Sequence, residues 1–341
     1  MTRPLPKVLL HDHLDGGLRI GTVLELATAD LPTRSPKELT DWFDQEGVNS
    51  LDRYLDAFSL TVSAMQNTGN LERISYESAV DLAADGVVYA ELRFAPSLAT
   101  EDGLCIEDVL IAIDAGLDRA ESETGICTAI IVDAMRQHSD SDDVVMAALR
   151  SDVKRVVGFD LAGPEAGFPP TLHRRACELA LQGGLGLTIH AGEGDGVASI
   201  EAALRCGAQR IGHGVRIIED CEVVGGAITD LGPVAIQVRD RQIALELCPT
   251  SNRHTLGIAI DEHPIDLLYR AGFLVTVSTD NRLMSRTSLT QEFVQLADTF
   301  GWVREDFLSV TENALGAAFT TAGIVDSILE NQIRRGFAAP N

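Results

Sequence analysis

The amino-acid sequence predicts an α/β fold, a single domain over residues 1–341 built as a closed (β/α)8 barrel of the TIM type with extra helices. Two observations carry this reading. Short apolar runs ending in polar or glycine-containing turns occur eight times, and after the first gap they fall roughly 30 residues apart, the spacing of a strand-helix unit. Amphipathic stretches lie between them, an alternation that gives a parallel sheet covered by helices. Eight strands in one domain of this length favour closure over an open doubly wound sheet. No Gly-x-Gly-x-x-Gly follows the first run, which weighs against a dinucleotide-binding sheet.

The runs end near Leu10, Phe94, Asp133, Asp160, Ile189, Gly212, Cys248 and Thr279. Between them, residues 105–121, 173–181 and 199–206 have helical periodicity. In the long first gap Leu51, Tyr54, Leu55 and Phe58 have the i, i+3, i+4, i+7 spacing of a helix with one apolar stripe. A helix packed on the barrel and a helix lining a pocket both fit that stripe.

A chain of 341 residues, 45% hydrophobic and 23% charged, can bury a large core. Its net charge of -24 repels polyanions, which weighs against nucleic acid and anionic membranes and suits small neutral or cationic ligands. Acidity of this kind also serves solubility alone. The first seven residues lack the apolar core of a signal peptide and no apolar run of about 18 residues occurs, so the expected location is the cytoplasm. Six cysteines without a Cys-x-x-Cys pair indicate neither a disulfide framework nor a thiolate metal site, and mostly buried, reduced thiols are expected. Nothing in the sequence sets an oligomeric state.

Reactive groups in such a barrel sit at the C-terminal ends of the strands and on the loops that follow. The stretch Thr-Ile-His-Ala-Gly-Glu-Gly places His190 at the end of the fifth run and Glu193 on the next turn, a potential metal ligand beside a potential acid. A lone His-x-x-Glu also occurs as a satisfied histidine before a glycine-rich turn, so the reading depends on partners elsewhere. These exist. His11 and His13 end the first run on one face, with Asp12 on the other; His213 ends the sixth and Asp280 the eighth. Imidazoles and a carboxylate on one rim make a nitrogen and oxygen ligand set suited to zinc, with a position open for water. His138, His173, His254 and His263 fall in loop or helix contexts and read as surface or structural.

Taken in order, Pro-Lys-Val-Leu-Leu-His-Asp-His-Leu-Asp-Gly-Gly-Leu-Arg, Tyr-Ala-Glu-Leu-Arg-Phe-Ala-Pro, Asp-Leu-Ala-Gly-Pro-Glu, His-Ala-Gly-Glu, Arg-Ile-Gly-His-Gly, Cys-Pro-Thr-Ser-Asn and Ser-Thr-Asp-Asn closely resemble the adenosine deaminase family, over essentially the whole chain. The resemblance implies one zinc ion on His11, His13, His190 and Asp280, with Glu193 as proton donor and His213 orienting the attacking hydroxide. It implies that Asp15 lies near the ribose 5'-hydroxyl, that the Gly163 amide faces the purine, and that the helix carrying Leu51, Tyr54, Leu55 and Phe58 is a lid. The implied partner is a small nucleoside and the implied reaction is hydrolytic deamination of adenosine, and of 2'-deoxyadenosine, in purine salvage. The alternatives are a deaminase of adenine or a modified adenosine, and a non-catalytic purine-binding member of the same fold. Two positions depart from the family pattern: Asp12, where an apolar residue is common, and Asn281, where many members carry a second aspartate that contacts N7.

Overall fold

All eight apolar runs fold into strands of one parallel sheet. In chain order the strands are β1 (Lys7–His13), β2 (Val87–Phe94), β3 (Cys127–Met135), β4 (Val156–Ala162), β5 (Gly186–Ala191), β6 (Arg210–His213), β7 (Cys221–Val224), β8 (Ala227–Leu231), β9 (Ala244–Leu247) and β10 (Val275–Val277). β7 and β8 form a separate antiparallel hairpin; the other eight pair in the order β1-β2-β3-β4-β5-β6-β9-β10. The computed structural model describes residues 5–44, 46–47 and 57–339.

Closure between β10 and β1 runs through one residue. The Asp280 N–H donates to the His11 carbonyl at 2.9 Å and its own carbonyl accepts from the His13 N–H at 2.7 Å, so Asp12 and Asp280 form a parallel bridge. The bonds that shut the barrel therefore also hold Asp280 beside the two histidines of β1.

Several strands outrun the apolar runs that announce them: β1 reaches His13, β3 reaches Met135 and β4 reaches Ala162. His11, His13, Asp133 and Asp160 are all buried in these strands, so an apolar criterion stops short where the strand turns polar at the rim. The hairpin has no counterpart among the runs. Val223 and Val224 are exposed and Gly225 and Gly226, both at positive φ, form its two-residue turn; a solvent-facing ribbon needs no long apolar run. Residues 105–121 fold as the helix Ile106–Thr124, with Cys105 as N-cap and Gly125 closing the C-terminus in the left-handed region. Residues 173–181 and 199–206 fold as Arg174–Gln182 and Val197–Arg205. Phe58 opens the helix Phe58–Ser63, while Leu51, Tyr54 and Leu55 lie outside the described residues. All six cysteines are free thiols, but only Cys177, Cys206 and Cys248 are buried.

Helices cover the outside of the barrel and apolar side chains fill the space between, yet the interior of the barrel is ionic. Arg93 is fully buried and donates to Asp160 Oδ2 at 2.6 Å, Glu246 Oε2 at 2.7 Å and the Leu10 carbonyl at 2.6 Å. Arg210 Nε and Nη2 lie 2.6 Å from Glu246 Oε1 and 2.6 Å from Glu91 Oε2. At the N-terminal mouth Phe319 plugs the barrel: its N–H donates to Glu91 Oε1 at 2.6 Å and the Arg210 guanidinium lies 3.7 Å over its ring. Gly186 leaves room for that ring, since a Cβ there would lie 2.2 Å from it.

Charges this deep are tolerated only when each is paired. Arg93→Leu leaves Asp160 and Glu246 facing each other across the barrel with one cation fewer, and is expected to destabilise the metal-free protein by about 3–5 kcal/mol in urea unfolding. A loss below about 1 kcal/mol, the size of a surface pair, would show that the carboxylates do not depend on it.

Candidate active site

The two ends of the Arg93 clamp reach the rim histidines. Glu246 Oε2 lies 3.0 Å from His11 Nδ1, and Asp160 Oδ2 lies 2.9 Å from His190 Nδ1. A carboxylate on Nδ1 keeps the proton there and turns the Nε2 lone pair toward the opposite side of the ring. That side is the site: His11 Nε2 and His13 Nε2 each lie 3.4 Å from Asp280 Oδ1, and His13 Nε2 lies 3.2 Å from His190 Nε2. His11 Nε2 is buried without a hydrogen-bond partner among the described residues, the state of a nitrogen whose partner is a cation. Ser251 Oγ donates to Asp280 Oδ2 at 2.5 Å, which leaves Oδ1 for the site.

Burial holds His13 and His213 well below the usual imidazole range and lowers His190, so these rings are neutral. In His11 burial also pulls downward, but the Asp280 and Glu246 carboxylates on its two sides carry it above its ordinary value. A cation on Nε2 answers the same two carboxylates as a proton there. Asp280 is held well below the usual carboxylate range: burial opposes ionisation, but the His11 ring 3.4 Å from its Oδ1 outweighs it.

His213 stands equally near, and His11, His190, His213 and Asp280 each offer an atom within 4.8 Å of the others. Its hydrogen bonds set it apart. Asn252 Oδ1 accepts from the Cys248 backbone N–H at 3.2 Å, which fixes the amide and points Asn252 Nδ2 at His213 Nδ1, 3.0 Å away. The His213 Nδ1 must accept, so its proton is on Nε2 and no lone pair remains there for a metal. That Nε2 lies 3.3 Å from Glu193 Oε2. Both His213 and Asp280 are non-glycine residues in the left-handed region, φ 59° and 60°, strain of about 1–3 kcal/mol each that the surrounding bonds must hold.

Glu193 follows β5 on a turn tied down by Glu165, whose carboxylate accepts from the N–H groups of Gly192, Glu193 and Asp195 at 2.6, 3.0 and 3.0 Å. Thr255 Oγ1 donates to Glu193 Oε1 at 2.9 Å. Burial, and then the Asp280 carboxylate, push Glu193 well above the usual carboxylate range. A cation on Asp280 offsets the second contribution and leaves the first. Ser251, Asn252 and Thr255 thus come from one helix, Pro249–Leu256, and serve Asp280, His213 and Glu193 in turn. These three, with Asp160, Glu246, Arg93 and Glu165, went unassigned in the sequence, although Ser251 and Asn252 lie inside the quoted Cys-Pro-Thr-Ser-Asn motif and Glu165 ends Asp-Leu-Ala-Gly-Pro-Glu.

Above the donors opens a cavity of about 310 Å³, within the range of small-molecule sites. His13, Asp15, Gly163, Asn281 and Phe58 line it together with His190, Glu193, His213 and Asp280, so every expected site residue in the described part of the chain lies at or directly beneath one pocket. Gly163 has φ 95°, which a larger residue resists, and a Cβ there would lie 2.5 Å from Gln137 Oε1. Asn281 packs against Gly16, where a Cβ would lie 1.9 Å from its Oδ1. Asp12 faces away, accepting from Thr279 Oγ1 at 2.7 Å and Arg282 Nε at 2.9 Å, as the alternation along β1 requires. His173, His254 and His263 are buried away from this pocket, whereas the exposed His138 sits on its wall.

A parallel barrel with imidazole and carboxylate donors converging at its C-terminal rim is the plan of a metal-dependent hydrolase of the amidohydrolase kind. The sequence profile described as adenosine deaminase matches residues 6–333. The adenosine deaminase of Mycobacterium marinum is 47% identical over 348 residues, covering 98% of this chain and 96% of that one. That of Mycobacterium tuberculosis is 46% identical over 349 residues, covering 99% and 96%. Among solved structures, adenine deaminase from Arthrobacter aurescens superposes with a TM-score of 0.88 at 24% identity, covering 98% of this chain and all of that one, a likeness of fold. This chain belongs to the adenosine deaminase family.

Ser251→Ala frees Asp280 Oδ2 and lets the carboxylate rotate, so metal affinity measured by chelator competition is expected to fall about 10- to 100-fold, as when other groups that orient a ligand are removed. Affinity equal to wild type would mean that the backbone of Asp280 alone sets its carboxylate.

Proposed function

We propose that this chain hydrolyses adenosine, and 2'-deoxyadenosine, to inosine and ammonia with one zinc ion held by His11, His13, His190 and Asp280. The observation that carries the reading is the meeting of that donor set with Glu193, a buried acid whose Oε2 lies 3.3 Å from His213 Nε2 on the wall of the same pocket. Three imidazoles and one carboxylate suit zinc and leave a position open. When bound, the metal lowers the pKa of a coordinated water from about 16 to about 7 and so supplies a nucleophile at neutral pH.

The chain's own groups do the rest. Thr255 donates to Glu193 Oε1, which leaves Oε2 to carry the proton of the acid. Glu193 gives that proton to N1 of the purine, which makes C6 electrophilic as the C6–O bond forms. His213, with its proton on Nε2, donates to the attacking oxygen and holds it at C6. The C6–N6 bond then breaks, the amino group leaving as ammonia with one proton of the attacking water while the other returns to Glu193, and the ring becomes that of inosine. Asp280 accepts a hydrogen bond from the attacking water as well as serving the metal. Gly163 and Asn281 take the purine edge, and Phe58 belongs to the wall over it. Asp15 takes the ribose; burial raises its carboxyl to about 7, and its Oδ1 has no partner among the described residues.

Among the described residues no helix is long and apolar enough to cross a membrane. The proposed place of the enzyme is purine salvage in the cytoplasm, acting on a small nucleoside.

Following the fall in adenosine absorbance beside adenine and AMP tests the reading. Turnover of adenosine well above both supports it, and a preference for adenine or AMP overturns it. Glu193→Gln is expected to keep its fold and metal and lose about 100- to 10,000-fold in kcat, because an amide has no proton to give N1. Turnover near wild type in that variant assigns the acid to another group.

A further inference from the structure

Asp133 ends inside the pocket near the C-terminal end of β3 and has no part in the chemistry above. It is 1% exposed, and its Oδ1 is buried without a hydrogen-bond partner among the described residues. Its Oδ2 lies 3.5 Å from His13 Nδ1, the nitrogen that Asp15 Oδ1 approaches at 3.9 Å. Two carboxyl groups therefore flank one edge of the His13 ring, and each has a buried oxygen that the described protein leaves unsatisfied. Such an oxygen is expensive unless a ligand brings the donor.

Orienting His13 does not account for Asp133. The carboxylates that orient His11 and His190 stand 3.0 and 2.9 Å from their rings, within hydrogen-bond distance, and Asp133 at 3.5 Å does not. The chemistry of the ligand narrows what the free oxygen can meet. In adenosine the purine edges away from C6 offer acceptors, and the only donors besides the reacting amino group are the sugar hydroxyls. The amino group belongs at the metal donors and Glu193, which leaves a hydroxyl.

We infer that Asp133 is a specificity-determining residue that hydrogen-bonds a hydroxyl of the substrate's sugar, the second carboxyl of a clamp whose first is Asp15. The inference rests on the nucleoside reading above. It explains why β3, whose other pocket residue is the apolar Met135, turns a carboxyl group into the cavity. It also makes the sugar, held at two carboxyls on one side of His13, the handle that sets the purine against Glu193.

The test compares zinc-loaded wild type with Asp133→Ala on adenosine and on its 2'-deoxy, 3'-deoxy and 5'-deoxy analogues. The variant is expected to lose about 10- to 100-fold in kcat/KM on adenosine, the worth of one hydrogen bond to a carboxyl group. On the one analogue that lacks the bonded hydroxyl the loss should shrink to a few-fold. Asp133→Leu, which keeps the volume and drops the oxygens, carries the same expectation should the alanine variant fail to fold. Equal losses on all four substrates, the signature of an effect through His13 or through packing, overturn the inference, as does no loss on any. Wild type inactive on adenosine overturns the nucleoside reading itself. Wild type active on adenosine with equal losses in the variants overturns only the role of Asp133.

Discussion

One buried guanidinium holds this molecule's chemistry in register. Arg93 lies in the middle of the barrel and binds Asp160 with one end and Glu246 with the other, at 2.6 and 2.7 Å. Those two carboxylates then stand on the Nδ1 nitrogens of His190 and His11. Without the cation Asp160 loses its guanidinium and Glu246 keeps only Arg210, so both draw protons more readily, and a protonated acid no longer fixes the proton of the ring beside it. Barrel interior, ring orientation and metal affinity thus share one dependence, running from β2 to the rim.

The same economy appears at the seam of the barrel. Asp280 supplies the backbone bonds between β10 and β1 and the carboxylate at the site, in a strained backbone conformation that those bonds hold. A single helix, Pro249–Leu256, reaches three reactive groups through Ser251, Asn252 and Thr255. Through Asn252 it also sets the proton of His213 on Nε2, the nitrogen 3.3 Å from Glu193. A ring that could have been a further ligand is made a donor by its neighbour, and in the proposed reaction that donor meets the attacking oxygen, where preorganisation gains most.

The barrel was legible because strands buried on both faces read as apolar runs, and the donors were legible because several histidines and an aspartate recur together at the ends of such runs, where reactive groups of a barrel sit. Their supports were not. Arg93 and Glu246 sit inside runs that alternation marks as strands, but nothing local says that their side chains meet across the barrel. Ser251 and Asn252 belong to a motif that resemblance flags, yet their partners depend on how a helix crosses the rim. Asp133 marked only the end of a run, and the hairpin of β7 and β8, lying in water, left no apolar trace.

The account's central claim is that hydrogen-bond partners divide four neighbouring histidines into three ligands and one donor around a single zinc ion. Metal analysis of purified wild type, His11→Ala and His213→Ala tests it directly. The account predicts one equivalent of zinc in the wild type, a large loss in His11→Ala, and one full equivalent with little turnover in His213→Ala. Two equivalents in active wild type, or a His213→Ala protein that has lost its metal, would contradict it.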